Sequence, residues 1–200
     1  MHPKNPFKEP PDFLQLAARH PDLAPHVRRS HSSGHAAQLD WSNPQALVQL
    51  SRALLKQLGV REWAHPDGHL CPTVPSRLNY LLWLADLLAL RTSSASLSSS
   101  SASALPSSSS PVLGLDIGTG ASCIYPLLGR AHLGWRFVAT EVDPASAAAA
   151  RRNVALNEWE AAIQVREVAP GVKHDADANH AEGGVVPPQP PILMGVIGPS

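Results

Sequence analysis

The sequence predicts an α/β chain in which a mainly helical first part leads into the opening strands of a parallel sheet. Three observations carry this reading. Leu113-Gly-Leu-Asp-Ile-Gly-Thr-Gly-Ala-Ser-Cys-Ile124 reads as an apolar strand that runs into Asp116 and then into a tight turn with Gly118 and Gly120. Phe137-Val-Ala-Thr-Glu-Val-Asp143 reads as a second strand that ends in the acidic Glu141. Well ahead of both, Leu47, Leu50, Leu54, Leu55 and Leu58 recur at helical spacing.

Residues 1–91 are expected to be helical. Pro10-Pro11-Asp12 is a helix start signal, followed by Phe13 to His20 with apolar residues on one side. Ser42-Asn43-Pro44 supplies an Asn cap with Pro at the first helical position, and Gly59 closes that helix. Ser76 is expected to cap a third helix, Arg77 to Leu90, apolar nearly all round. Residues 92–111 are almost wholly Ser and Ala and lack the large apolar groups that offset ordering entropy, so they are expected to be a flexible insert. From 112 to 168 the order is strand Val112–Asp116, covered on both faces, then a short helix around Ile124–Leu128. Strand Trp135–Thr140, a helix capped by Asp143-Pro144 and strand Ile163–Val168 follow. Residues 169–200 carry Pro, Gly, His and Asp without periodicity and are expected to be a disordered tail.

Composition narrows the function. With 200 residues the chain holds one domain, or one and a fraction. Lys plus Arg and Asp plus Glu both number 16, so no overall basic excess advertises nucleic acid, and any such surface must be local. Cys71 and Cys123 have no metal or redox spacing and read as free thiols. Neither a signal peptide nor a bilayer-spanning run is present, since the apolar stretch Leu78–Leu90 is short and contains Asp86; a soluble, intracellular chain is expected. His65-Pro-Asp-Gly-His69 with Cys71 offers metal-type atoms at the wrong spacing for zinc and reads as a loop, as do His31 and His35; no metal is expected.

The chemistry sits at the glycine turn. Glycines let backbone N–H groups approach a nucleoside, and a carboxylate at the end of the next strand accepts hydrogen bonds from ribose hydroxyls. Gly118-Thr-Gly120-Ala-Ser-Cys123 lacks the third glycine of a dinucleotide fingerprint and the Gly-Lys-Ser/Thr of a P-loop. Asp116-x-Gly118-x-Gly120 followed by Glu141 fits S-adenosylmethionine better, because that ligand has no pyrophosphate to cradle. A dinucleotide and a purely structural turn remain the alternatives.

Asp116-Ile-Gly-Thr-Gly-Ala-Ser-Cys-Ile-Tyr-Pro-Leu-Leu-Gly129 and Ala139-Thr-Glu-Val-Asp143 closely resemble the methyltransferase-like-sixteen family of RNA adenine N(6)-methyltransferases. Bacterial relatives in that family act on large-subunit ribosomal RNA. Pro10-Pro-Asp-Phe13, Asn43-Pro44, Pro72-Thr-Val-Pro-Ser-Arg-Leu-Asn-Tyr80 and Trp83 extend the resemblance upstream. It implies an incomplete Rossmann-like class I methyltransferase sheet preceded by a helical, RNA-binding amino-terminal part. The implied cofactor is S-adenosylmethionine, held by Arg77, Asp116, Gly118, Gly120 and Glu141. Arg77 would take the methionine carboxylate through its guanidinium fork. The implied partner is a structured RNA, such as the U6 small nuclear RNA or a hairpin, in the nucleus. It would be contacted by Lys4, Lys8, Pro10, Pro11, Asp12 and Phe13, with Lys173 after strand three.

The family positions the flipped adenine with Asn-Pro-Pro-Phe at the end of strand four. No Asn-Pro-Pro occurs in the 200 residues, and Pro187-Pro-Gln-Pro-Pro191 and Asn179 do not replace it. The chain is therefore expected to stop short of that motif, to have no catalytic residue of its own, and to be poorly soluble and catalytically silent. The alternative from another class is a non-catalytic RNA-binding fragment.

Overall fold

The computed structural model describes residues 1–29, 37–98 and 112–169. The expectations for His31, His35, Lys173, Asn179, Pro187–Pro191, residues 99–111 and the tail from 170 lie outside the described residues.

Helix α1 spans Phe13–Arg19, and the Asp12 carboxylate caps it by accepting from Leu14 N and Gln15 N. A 3-10 turn, Pro21–His26, leads into strand β1, Val27–Arg29, which pairs antiparallel with β2, Ala37–Leu39. Sequence reading missed this hairpin, because three-residue strands are too short to show alternation. Helix α2, Pro44–Gln57, starts as expected, with the Asn43 side chain accepting from Gln45 N at 2.9 Å.

Helix α3 runs Val74–Ser98, longer than expected at both ends. Ser76 is not its cap: Arg77 N already donates to Thr73 O at 3.1 Å, and Pro75 sits in the first turn, where no N–H is required. At the far end the helix continues past Leu90 into the Ser/Ala segment, because extending a formed helix costs far less than starting one.

The second half follows the expected alternation: β3 Leu113–Ile117, α4 Ile124–Leu133, β4 Arg136–Glu141, α5 Pro144–Ala155 and β5 Ile163–Glu167. The three strands form a parallel sheet in the order β3-β4-β5, with Leu115 opposite Val138 and Ala139 opposite Val165. Helices α4 and α5 pack on one face, where Gly114, Phe137, Ala139 and Ile163 are buried. The expectation that the first strand is covered on both faces is corrected. Among the described residues β3 is an edge strand, and Leu113, Leu115 and Ile117 are 38%, 42% and 57% exposed.

Phe137 fixes the spacing of the covered face. A Cβ on Gly114 would lie 2.5 Å from the Phe137 ring, and one on Gly129 of α4 would lie closer still, so the ring fills the space that both glycines leave. One cluster of buried side chains runs from Phe7 through Leu55 and Leu78 to Leu127, Phe137 and Ile163, so the helical part and the sheet share a core.

Two buried asparagines, Asn153 on α5 and Asn157 just past its end, tie the two parts together. Asn153 accepts from Ala64 N at 2.7 Å and donates to Ala64 O and Ala121 O; Asn157 accepts from Arg61 N at 2.7 Å and donates to Glu62 O. Such networks specify a single packing because every buried polar atom finds a partner.

Candidate functional site

The end of β3 and the start of α4 are joined by a turn held from several sides. Gly118 N and Thr119 N both donate to Thr140 O at 2.9 Å. Trp63 Nε1 donates to Ser122 O at 3.0 Å, and Asn153 Nδ2 to Ala121 O at 3.1 Å. Gly118 and Gly120 have φ of +73° and +64°, where a side chain is strained, and a Cβ at either would meet nothing within 4 Å. The turn therefore presents backbone to open space. Cys123 enters α4 at φ +49° and is fully buried; burial pushes its thiol up to about 12, so it stays protonated and is no nucleophile.

Glu141, at the end of β4, closes the turn. Its Oε2 accepts from Gly120 N at 2.8 Å, and its Oε1 accepts from Val142 N at 2.8 Å and Asp143 N at 3.0 Å. Burial pushes this carboxyl up, but the backbone donors of Asp143, Gly120 and Val142 together outweigh it, and the net shift is downward. The group is thus an anion with acceptor capacity left for a hydroxyl.

Asp116 behaves oppositely. Burial raises its carboxyl above the ordinary range, the nearby Thr119 hydroxyl pulls it back, and the Glu141 charge adds to the rise. Asp116 Oδ2 and Thr119 Oγ1 are buried close to each other, yet neither makes a hydrogen bond of ordinary geometry. Such orphaned atoms are costly unless a ligand supplies what is missing.

Arg77, half-buried in the first turn of α3, reaches the start of α4 from the other half of the chain. Its guanidinium donates to Tyr125 Oη at 2.9 Å and lies 5.6 Å from the Tyr125 ring centre. The structure thus brings Asp116, Gly118, Gly120 and Glu141 together, and links Arg77 to them through α4.

The amino-terminal residues are placed differently. Lys4 Nζ lies 3.3 Å from Asp86 Oδ1, so it already has an anion. Lys8 and Pro10 are exposed. Asp12 is occupied as the cap of α1. Pro11 and Phe13 line an apolar groove of about 170 Å³, where Phe13 meets Trp41 edge-on at 6.1 Å.

Sequence reading missed Tyr125, Trp41, Trp63 and Asn153. A usable signal existed for Trp41, a bulky aromatic just ahead of a polar helix cap, but none for a contact between residues 77 and 125. His65 stacks on Trp63 at 5.1 Å, with its Nε2 3.1 Å from His69 O, as a loop residue would.

A larger cleft of about 520 Å³ lies elsewhere, lined by Arg19, Arg52, Lys56 and Arg152 against Asp22 and Glu62. Arg19, Lys56 and Arg152 stand in the last turns of α1, α2 and α5. Each helix end there contributes about half a negative charge, so the cleft is close to neutral and no anion site.

Comparison with known proteins shows the family. A family model described as RNA methyltransferase matches residues 1–174. The chain is 39% identical over 191 residues to the ribosomal RNA large subunit methyltransferase F of Aeromonas salmonicida, covering 94% of this chain and 54% of that protein. It is 39% identical over 174 residues to the U6 small nuclear RNA (adenine-(43)-N(6))-methyltransferase of Caenorhabditis briggsae, covering 86% of this chain and 33% of that one. The amino-terminal domain of human METTL16 in complex with SAH superposes with a TM-score of 0.71 at 38% identity, over 86% of this chain and 60% of that one. The catalytic domain of the same human protein with a MAT2A 3′UTR hairpin gives 0.70 at 37%, over 85% and 54%.

The fold is the α/β architecture of a methyltransferase domain, over the part that this chain spans. The chain belongs to the RNA methyltransferase family. It spans about half the length of the bacterial relative. Among the described residues no helix is long and apolar enough to cross a membrane.

Proposed function

We propose that the chain holds S-adenosylmethionine in the glycine turn and serves methyl transfer to an adenine N(6) of a structured RNA. The observation that carries this is the open left-handed turn at Gly118 and Gly120, clamped to Glu141 beside the orphaned Asp116 Oδ2. When bound, the sulfonium supplies the methyl group. The chain's own residues bind and orient it: the turn admits the nucleoside, Glu141 accepts from the ribose hydroxyls, Asp116 lines the donor's side, and Arg77 takes the methionine carboxylate.

Lys4, Lys8 and Pro10–Phe13 lie on the surface expected to meet RNA, where lysines attract phosphate and an aromatic ring can stack on a base. U6-type small nuclear RNA, and with it a nuclear setting, is the finer reading, supported by the Caenorhabditis relative; the Aeromonas relative acts on ribosomal RNA by its name.

Titration of the full chain with S-adenosylhomocysteine tests the reading. Binding is expected, and Glu141→Ala or Arg77→Ala is expected to weaken it; unchanged affinity in either variant rejects that residue's role. A non-catalytic RNA-binding protein is the second reading. RNA gel shift without crosslinking to labelled donor would select it.

A further inference from the structure

Arg77 has five N–H donors on a rigid fork, and one of them is spent on Tyr125 Oη at 2.9 Å. Among the described residues no carboxylate pairs with it, although it is only half-exposed. The guanidinium carbon lies 5.6 Å from the Tyr125 ring centre, so the ring as well as the hydroxyl bears on it. The tyrosine is itself braced: the Tyr80 ring meets it edge-on at 5.5 Å. Its backbone is set by the entry to α4, where Cys123 N donates to Gly120 O and Leu127 N to Cys123 O. Tyr125 is therefore carried by the glycine turn, whereas Arg77 is carried by α3. The bond between them ties the two ends of the donor site.

We propose that Tyr125 is a positioning residue for the methionine end of the donor. Its hydroxyl occupies one edge of the Arg77 fork and its ring restrains the guanidinium, leaving the other edge set to meet a carboxylate through two hydrogen bonds. The gain is preorganisation: without Tyr125 the long Arg77 side chain must be ordered when the ligand arrives. The inference rests on the reading that Arg77 takes the donor's carboxylate.

Two ligands separate the ends of the site. S-adenosylhomocysteine carries the amino-acid tail; methylthioadenosine keeps the nucleoside and sulfur but lacks it. In calorimetric titrations of the full chain, Tyr125→Phe is expected to weaken S-adenosylhomocysteine about fivefold to tenfold and leave methylthioadenosine unchanged. Arg77→Ala should weaken the first ligand more and again spare the second. In the Arg77→Ala background, Tyr125→Phe should have no further effect. Thermal unfolding of Tyr125→Phe, which keeps the ring and its volume, checks that the fold is intact.

An equal loss for both ligands would mean that Tyr125 acts on the turn in general and would overturn the proposal. Full retention of S-adenosylhomocysteine affinity in Tyr125→Phe, with Arg77→Ala still discriminating, would overturn it and leave the role of Arg77 standing. If Arg77→Ala fails to discriminate the two ligands, the underlying reading falls as well.

Discussion

In the first seven residues the buried polar side chains are fully engaged, whereas the glycine turn leaves two buried polar atoms with no partner. His2 is 2% exposed; its Nε2 meets Asp86 at 2.8 Å and its Nδ1 accepts from Lys4 N. Asn5 donates to Pro75 O and accepts from Phe7 N, each at 2.9 Å. The turn has an equally well-held backbone, yet Asp116 Oδ2 and Thr119 Oγ1 stay unmatched. A region whose hydrogen bonds close on themselves is fastening. A region that is well held and still incomplete is where the proposed donor would complete the bonding.

The largest expected effect is at Glu141. Glu141→Ala strips the partner from three backbone N–H groups and should cost about 3 kcal/mol in urea unfolding, besides weakening donor binding about a hundredfold. Stability unchanged in that variant would mean the carboxylate does not clamp the turn. The sign of its pH dependence is fixed by its lowered value. The stabilisation is present above the ordinary carboxyl range and is lost as pH falls through the lower folded value. Glu141→Gln should therefore flatten the acid limb of the stability profile, below about pH 4.5.

Next comes the arm. His2→Ala should cost about 2 kcal/mol, because it leaves a cavity and takes the ring from Asp86 and Lys4 N, and should leave donor affinity unchanged. A matching loss of donor affinity would erase the distinction between the two regions.

Asp116→Asn should behave in reverse. It relieves a buried charge, so stability should hold or rise by about 1 kcal/mol, while donor affinity falls about tenfold.

The smallest effect sharpens the RNA reading. Lys8→Ala should reduce the salt dependence of RNA binding by about one phosphate contact, and Lys4→Ala by less, because Asp86 already holds that ammonium.

What sequence reading could reach follows from the same contrast. The turn at Gly118 and Gly120 and the strand end at Glu141 were legible because a left-handed turn demands glycine and an apolar run marks where a strand stops. The caps Asp12, Asn43 and Asp143 were legible because capping is local. Tyr125 against Arg77, Trp63 over Ser122 and Asn153 against Ala64 join distant parts of the chain, and no periodicity encodes them. The start of α3 was misplaced for a related reason: Ser76 is a good cap residue, but Pro75 ahead of it is an equally good first-turn residue. The covered second face of β3 was an extrapolation from its apolar run, and such a run looks the same at an edge.

Phe137, wedged against Gly114 and Gly129, sets how near β3 and α4 can come, much as a washer sets the gap between two plates. Enlarging either glycine would lever that gap open and shift the mouth of the loop between them. Shrinking the ring alone would let it collapse. Adaptive change at these three positions must therefore come in concert, and a lone substitution at any one should register at the nucleoside end without touching it.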